Sequence, residues 1–248
     1  MRRASRANSD SVEARRVVAG RPVVQCRGVI KDYRGLRPLR LVDLQVAAGE
    51  RVVLSGIDVI GAEVVTNLIN GATLPDEGEV RVFGQPTHEI ADGDAWLAGL
   101  DHFGVVTARA VLLEGMTVRQ NVALPLTIEI DPVPDTMLRQ VDALAREAGI
   151  DDVWLERMAH EAPVPVRMRI HLARALALAP RLMLLEHPTA ALEAADRPAL
   201  ADDVRRVAEA RAMTLIACSQ DREFARRVAT RHLQLHPGTG ALNRLSLG

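Results

Sequence analysis

The chain has 248 residues, 48% of them hydrophobic and 2% aromatic, with 31 Lys and Arg against 32 Asp and Glu. That length can bury a full core and forms one α/β domain with room for a subdomain. The near-zero net charge excludes a global basic field of the kind that marks nucleic acid as the main partner, and the scarcity of aromatics removes a base-stacking surface.

From its first residue the chain runs through six Arg before Pro22, against Asp10 and Glu13 and with no hydrophobic h-region. Residues 1–22 therefore read as a flexible Arg-rich tail rather than a membrane-surface anchor. No later apolar run approaches the roughly 20 residues needed to cross a bilayer. The expected location is cytoplasmic.

Val23 to Tyr33, Leu39 to Val46 and Glu50 to Leu54 alternate or run apolar between Gly and Pro punctuation, which predicts an opening β-rich layer. Helical spacing over Glu63 to Ile69 stops at Asn70-Gly71, and Gly78 to Gly84 gives another short strand. The middle region is mostly helical, with Leu138, Val141, Leu144, Ala145 and Ala148 on one face of a helix over Asp135 to Ala148. From Val166 a regular alternation begins: a helix to Ala179, the strand Leu182 to Leu185, a helix over Arg197 to Ala210, the strand Thr214 to Cys218, and a short helix from Asp221. Continuous apolar strands alternating with helices predict a parallel sheet covered on both faces. Cys26 and Cys218 fall in separate apolar segments and read as reduced, buried thiols.

The most informative segment is Val52 to Glu63, which reads as strand, loop and helix start, with Gly56 and Gly61 spaced as in G-x-x-x-x-G-K-[ST]. Such a loop points backbone N–H groups at a phosphate, adds a lysine charge and offers a hydroxyl to magnesium. Ala62 and Glu63 hold the last two places, and Lys31 is the only lysine in the chain. Only the backbone contribution remains.

Several stretches in fixed order add to this loop: Ala48-Gly49-Glu50, Asn67 to Gly71, Gly78 to Gly84, Met116 to Leu126, Leu172 to Ala177, and Pro188-Thr189-Ala190-Ala191-Leu192. Together, over about Val23 to Leu245, the chain resembles the ATP-binding subunits of ABC transporters. The resemblance implies a P-loop NTPase-like ABC ATPase fold in the α/β class, a mixed sheet with an N-terminal antiparallel β layer and a helical subdomain. The implied boundaries are a core of 23–102 and 166–248 and a helical insert of about 103–165.

In that family an aromatic residue before the phosphate loop stacks on adenine, and Tyr33 matches that position, although an ordinary strand-end tyrosine reads equally well. Tyr33, Gly56, Asp58 and Gly61 are the positions left to hold any nucleotide. The family lysine and hydroxyl fall on Ala62 and Glu63, so one positive charge is lost and one negative charge introduced beside the phosphates. At 4 Å, like charges repel by about 1 kcal/mol in water and about 4 kcal/mol at an effective dielectric near 20. Glu63 is expected in the first turn of the following helix, where it would act as an internal substitute for phosphate.

The family glutamine that senses magnesium and contacts the membrane partner falls on Ala108. The metal-holding aspartate and the glutamate that polarises water fall on Glu186 and His187, of which Glu186 is the one weak metal candidate and His187 the one conceivable base. The later phosphate-contacting histidine corresponds to Gln220. The signature loop, which in the family docks on ATP held by the opposite subunit, reads Pro163-Val164-Pro165, without a hydroxyl and with two N–H donors removed. Pro165 also suits a helix start. No cofactor is assigned, with ATP and magnesium expected to bind weakly.

These departures imply a degenerate subunit, a pseudo-ATPase, partnered by a transporter membrane subunit or by another ATP-binding subunit as homodimer or heterodimer, peripheral at the inner face of the membrane. A weak ATPase relying on Glu186 and His187 is the alternative. Residues 108–125 match the neighbourhood that receives the membrane subunit's coupling helix, or are a plain core-and-loop segment. Asn121 to Leu126 looks like family members handling lipids or lipoproteins, which does not identify a substrate. His232-x-x-x-His236 lies in an apolar strand pattern and is not read as a metal site.

Overall fold

A computed structural model describes residues 22–247. The expected tail lies, apart from Pro22, outside the described residues. β1 (Val24–Lys31) and β2 (Leu39–Val46) form an antiparallel hairpin, and β1 also pairs antiparallel with β4 (Glu77–Val82), which carries the short β5 (Gln85–Pro86). The resulting order is β2-β1-β4-β5. Val24, Cys26 and Val29 of β1 and Leu39, Leu41, Leu44 and Val46 of β2 are buried, so this layer has one apolar face.

The second sheet has the order β10-β9-β3-β8-β7-β6, built from β3 (Arg51–Ser55), β6 (Phe103–Thr107), β7 (Leu182–Glu186), β8 (Thr214–Cys218), β9 (Arg231–Leu235) and β10 (Leu242–Leu245). Its pairings are parallel except for the β9–β10 edge. Every residue of β7 and β8 is buried, as expected of strands covered on both faces. Alternate residues serve two cores. Val53, Met183 and Leu185 join the core built with the later helices, whereas Val52, Leu54, Leu182 and Leu184 join the core beneath the antiparallel layer. Both thiols are free and buried, and burial pushes each up to about 12.

The helices are α1 (Val59–Ile69), α2 (Gly93–Leu100), α3 (Val118–Ala123), α4 (Asp135–Glu147), α5 (Val164–Leu176), α6 (Arg197–Ala210) and α7 (Arg222–Val228). α3 starts on a reciprocal capping box between Thr117 and Gln120. Behind it the fully buried Asn121 donates to Leu113 O and Thr117 O and accepts from Leu113 N–H, fixing the loop that enters the helix. That work explains the polar Asn at an otherwise apolar position.

Three expectations need correction. Residues 103–107, placed by sequence in the helical insert, form β6 and pair with β7 in the main sheet. The helix expected from Glu63 begins at Val59, because Asp58 caps it there. The helix expected from Val166 to Ala179 runs from Val164 to Leu176, with Pro165 in its first turn, and Ala179 adopts a left-handed φ of 51° beyond its end. Sequence periodicity does not mark α2: none of its residues is buried, so it has no apolar stripe to read.

Candidate functional site

The parallel strands end together, and the exit of β3 sets the site. Gly56 has φ +82°, and a Cβ there would sit 2.4 Å from Gln234 Nε2 and 2.5 Å from Leu235 O, so only glycine turns the chain at this point. Two residues later Asp58 caps α1, its Oδ1 accepting from Gly61 N–H at 2.6 Å. An amide of the expected phosphate cradle therefore already holds a carboxylate. The carboxylate seated on this helix start is that of Asp58; Glu63, expected in the first turn, lies in the second turn of α1 and pairs with Arg109.

That use is the centre of the site. Arg109 Nη1 lies 2.8 Å from Glu63 Oε1, and Arg109 Nη2 lies 2.7 Å from Glu186 Oε2. Arg109 Nε also donates to Glu186 Oε2, at 3.2 Å. One guanidinium thus links α1, the end of β7 and the segment that leaves β6. Burial works against the Arg109 charge, but the hydrogen bond and charge of Glu186, followed by the charge and hydrogen bond of Glu63, outweigh it and hold the guanidinium above its usual range. The Glu186 side chain is only 5% exposed, and its other oxygen, Oε1, is buried without a partner. A buried carboxylate held by one cation is costly to strip of that cation.

The other positions surround this triad. Ala62 follows Gly61 with no exposure, so an uncharged methyl packs where a lysine would reach forward. Ala108 is exposed and precedes Arg109. His187 sits just after β7 with a left-handed φ of 45°; its N–H donates to Cys218 O, and its Nε2 is buried without a partner. Gln220 braces the loop from the β8 side, accepting from Gly56 N–H at 3.3 Å and donating to Ile57 O at 2.9 Å.

Tyr33 follows β1 and lines a cleft of about 930 Å³ with Gly56, Asp58, Gly61 and Gln220. Burial and then the nearby Asp58 carboxylate raise the pKa of its hydroxyl. Pro163, Val164 and Pro165 form the start of α5 and are not part of this cleft's lining. His232 is not part of this cleft's lining: its Nε2 lies 2.6 Å from Ser55 Oγ, which donates to Ser219 O, tying β9 to the end of β3.

These residues do not fit a magnesium-bound nucleotide well. Glu186, expected as the one candidate ligand, gives Oε2 to Arg109, Glu63 gives Oε1 to the same group, and Ala62 supplies no charge. Arg109 is the residue that sequence reasoning missed. The signal was present in Glu63 and Glu186, two acids at positions where the resemblance implies a hydroxyl and a shorter acid, which add negative charge that a cation can balance.

The family model described as ABC transporter matches residues 39–190. The chain is 31% identical over 211 residues to the Fe(3+) ions import ATP-binding protein FbpC of Mesorhizobium japonicum, covering 83% of this chain and 57% of that protein. It is 32% identical over 221 residues to the sulfate/thiosulfate import ATP-binding protein CysA of Rhodopseudomonas palustris, covering 87% and 61%. The chain therefore spans about three-fifths of the length of these curated relatives. Its fold matches the dimeric structure of a post-hydrolysis state of the ATP-binding cassette MJ0796 bound to ADP and Pi, with a TM-score of 0.75 and 23% identity over 90% of this chain and 99% of that one. On sequence and architecture together, the chain belongs to the ABC transporter family, as a member of its ATP-binding type.

Proposed function

We propose that the chain is a pseudo-ATPase of an ABC importer, acting through its partners rather than through turnover. The observation that carries this reading is the Arg109 guanidinium lodged between Glu63 and Glu186. A cation fixed within the protein neutralises the Glu63 and Glu186 carboxylates, and Asp58 takes up a cradle amide. Both changes favour a folded site without nucleotide. The positions Ala62, Ala108, His187, Gln220 and Pro163 to Pro165 are degenerate in the same sense, each lacking the group that the family resemblance implies.

The partners of this reading are a transporter membrane subunit and another ATP-binding subunit, as homodimer or heterodimer, at the inner face of the cell membrane. Among the described residues no helix is long and apolar enough to cross a membrane, so attachment would run through a partner. The relatives are named for import of Fe(3+) and of sulfate or thiosulfate. A small inorganic ion is thus a better first cargo to test than the lipid suggested by residues 121–126.

A second reading has one observation in its favour. His187 Nε2 is buried without a partner beside Glu186, a geometry that leaves a base available for a weak ATPase. ATP hydrolysis assayed on the chain alone and with its co-purifying membrane subunit separates the two. The pseudo-ATPase reading expects phosphate release at background in both, whereas turnover abolished by His187→Ala would establish the weak enzyme.

A further inference from the structure

A second concavity, of about 300 Å³, lies between α7 and the β9–β10 edge, lined by Arg222, Arg226, His232, Leu245, Ser246 and Leu247. Arg222 and Arg226 are four residues apart and share one face of α7. His232 pairs in register with Val53 of β3 and Leu245 of β10, and Val53 shares a core with Phe224, Ala225 and Val228 of α7, so the imidazole stands on the face that α7 covers. No residue lining this pocket carries a carboxylate. The acids at the start of α7 are committed: Asp221 caps the helix through Oδ1 and accepts from Thr189 through Oδ2, and Glu223 Oε1 lies 2.9 Å from Arg227 but 3.6 Å from Arg226. On the strands, Arg51 closes on Glu209 and Arg231 on Glu50, while Arg244 alternates to the opposite face from Leu245.

Ser55 fixes where the proton sits on this imidazole. Its Oγ has one hydrogen and donates it to Ser219 O at 2.9 Å, so at 2.6 Å it accepts from His232 Nε2–H. The neutral ring then has a bare Nδ1, an acceptor, and only the imidazolium offers a donor there. Burial, followed by the Arg222 charge, lowers the pKa of His232 and favours the neutral ring. An anion beside Arg222 would offset the charge that opposes protonation.

We propose that this pocket binds a small inorganic oxyanion of the sulfate class between Arg222, Arg226 and Ser246, and that His232 takes up a proton on Nδ1 as the anion binds. The two guanidinium groups supply forked N–H donors suited to such oxygens. The volume is at the lower end for small-molecule sites, and Leu245 and Leu247 offer no polar side chain to the rest of a larger polar ligand. Bound there, the anion joins α7 to β9 and β10. No residue of the pocket belongs to the Glu63, Arg109 and Glu186 triad, so the proposal stands apart from the pseudo-ATPase reading.

Titration calorimetry of the full chain with sodium sulfate, at ionic strength held constant with chloride, tests the proposal. Sulfate keeps its own charge between about pH 6 and about pH 8, so a pH dependence there belongs to the protein. Binding should tighten by about fivefold or more from about pH 8 to about pH 6, and buffers of different ionisation enthalpy should report proton uptake. Nitrogen-15 resonances of the His232 ring should show Nε2–H alone without sulfate and both nitrogens protonated with it. Arg222→Gln and Arg226→Gln, both at exposed positions, should each weaken sulfate by about tenfold. His232→Gln should abolish the proton uptake; if that buried change unfolds the chain, the ring resonances of the unaltered protein decide the point.

No heat from sulfate beyond that from chloride, an affinity flat across this pH range, or full affinity in both arginine variants would each overturn the proposal. So would a His232 ring already protonated on Nδ1 before sulfate is added. Tighter binding of glycerol 3-phosphate than of sulfate would also overturn it, in favour of an organic phosphate.

Discussion

Within a few residues of each other, the interior of the main sheet and the carboxyl ends of its strands obey different rules. Leu182, Met183, Leu184 and Leu185 are at most 2% exposed, alternate between two apolar cores and make no demand on solvent or ligand. The next residue, Glu186, is a buried carboxylate with one oxygen on Arg109 and the other on nothing. His187 then takes a left-handed backbone. The apolar interior is sufficient to specify the layers, so the strand ends can carry the Glu63, Arg109 and Glu186 charges without altering the fold. Stability and site chemistry are separable in this chain, and substitutions can show how far.

The largest effect is expected in the interior. Leu184→Ala should cost about 2–5 kcal/mol in chemical denaturation, from lost transfer energy and the cavity left behind. At the strand ends, Arg109→Ala should cost about 1–3 kcal/mol, less than a fully buried pair because the guanidinium side chain is 46% exposed and solvent can relax around Glu186. The comparison would break if Arg109→Ala proved as damaging as Leu184→Ala, because the charges would then belong to the structural core. Protection of the residues around 108–117 against hydrogen exchange should fall in the same variant.

A pH test places a third group between these extremes. Burial, then the charges of Arg174 and Arg167, lower the pKa of His171 to about 4. The unfolded chain takes up that proton near the ordinary value while the folded one resists it. The stability is therefore complete above the ordinary imidazole range and is lost as pH falls toward the folded value. Between about pH 7 and about pH 5 the expected loss is about 2 kcal/mol, and His171→Leu should flatten that slope. The smallest effect is that of Glu63→Ala, about 0.2–1 kcal/mol, since its ion pair is shared with an exposed guanidinium. A larger loss from Glu63 than from Arg109 would reverse the order that the geometry gives.

Much of the fold was legible from sequence because its signals are local. β2, α6 and β8 fall on the residues that periodicity picks out, and the glycine pair at Gly56 and Gly61 marks the β3–α1 connection. The exposed α2, the edge strand β10 and the membership of β6 in the main sheet carry no such period, since each depends on partners distant in sequence. The site divides in the same way. Ala62, Glu63, Glu186 and His187 can be picked out by position, but the meeting of Arg109 with residues 46 positions before it and 77 after it is a property of the closed sheet. The capping by Asp58 was likewise hidden, because a loop and an early helix start share the same residues until an N-cap bond decides between them.

The proposed role of Arg109, a fixed cation in place of a metal, has one sharp consequence for divalent ions. A manganese titration followed by electron paramagnetic resonance, on the full chain with saturating ATP, tests it most directly. Only the spectrum of manganese bound to ATP in solution is expected, unchanged by Glu186→Gln. A chain-bound manganese signal that disappears in Glu186→Gln would contradict it.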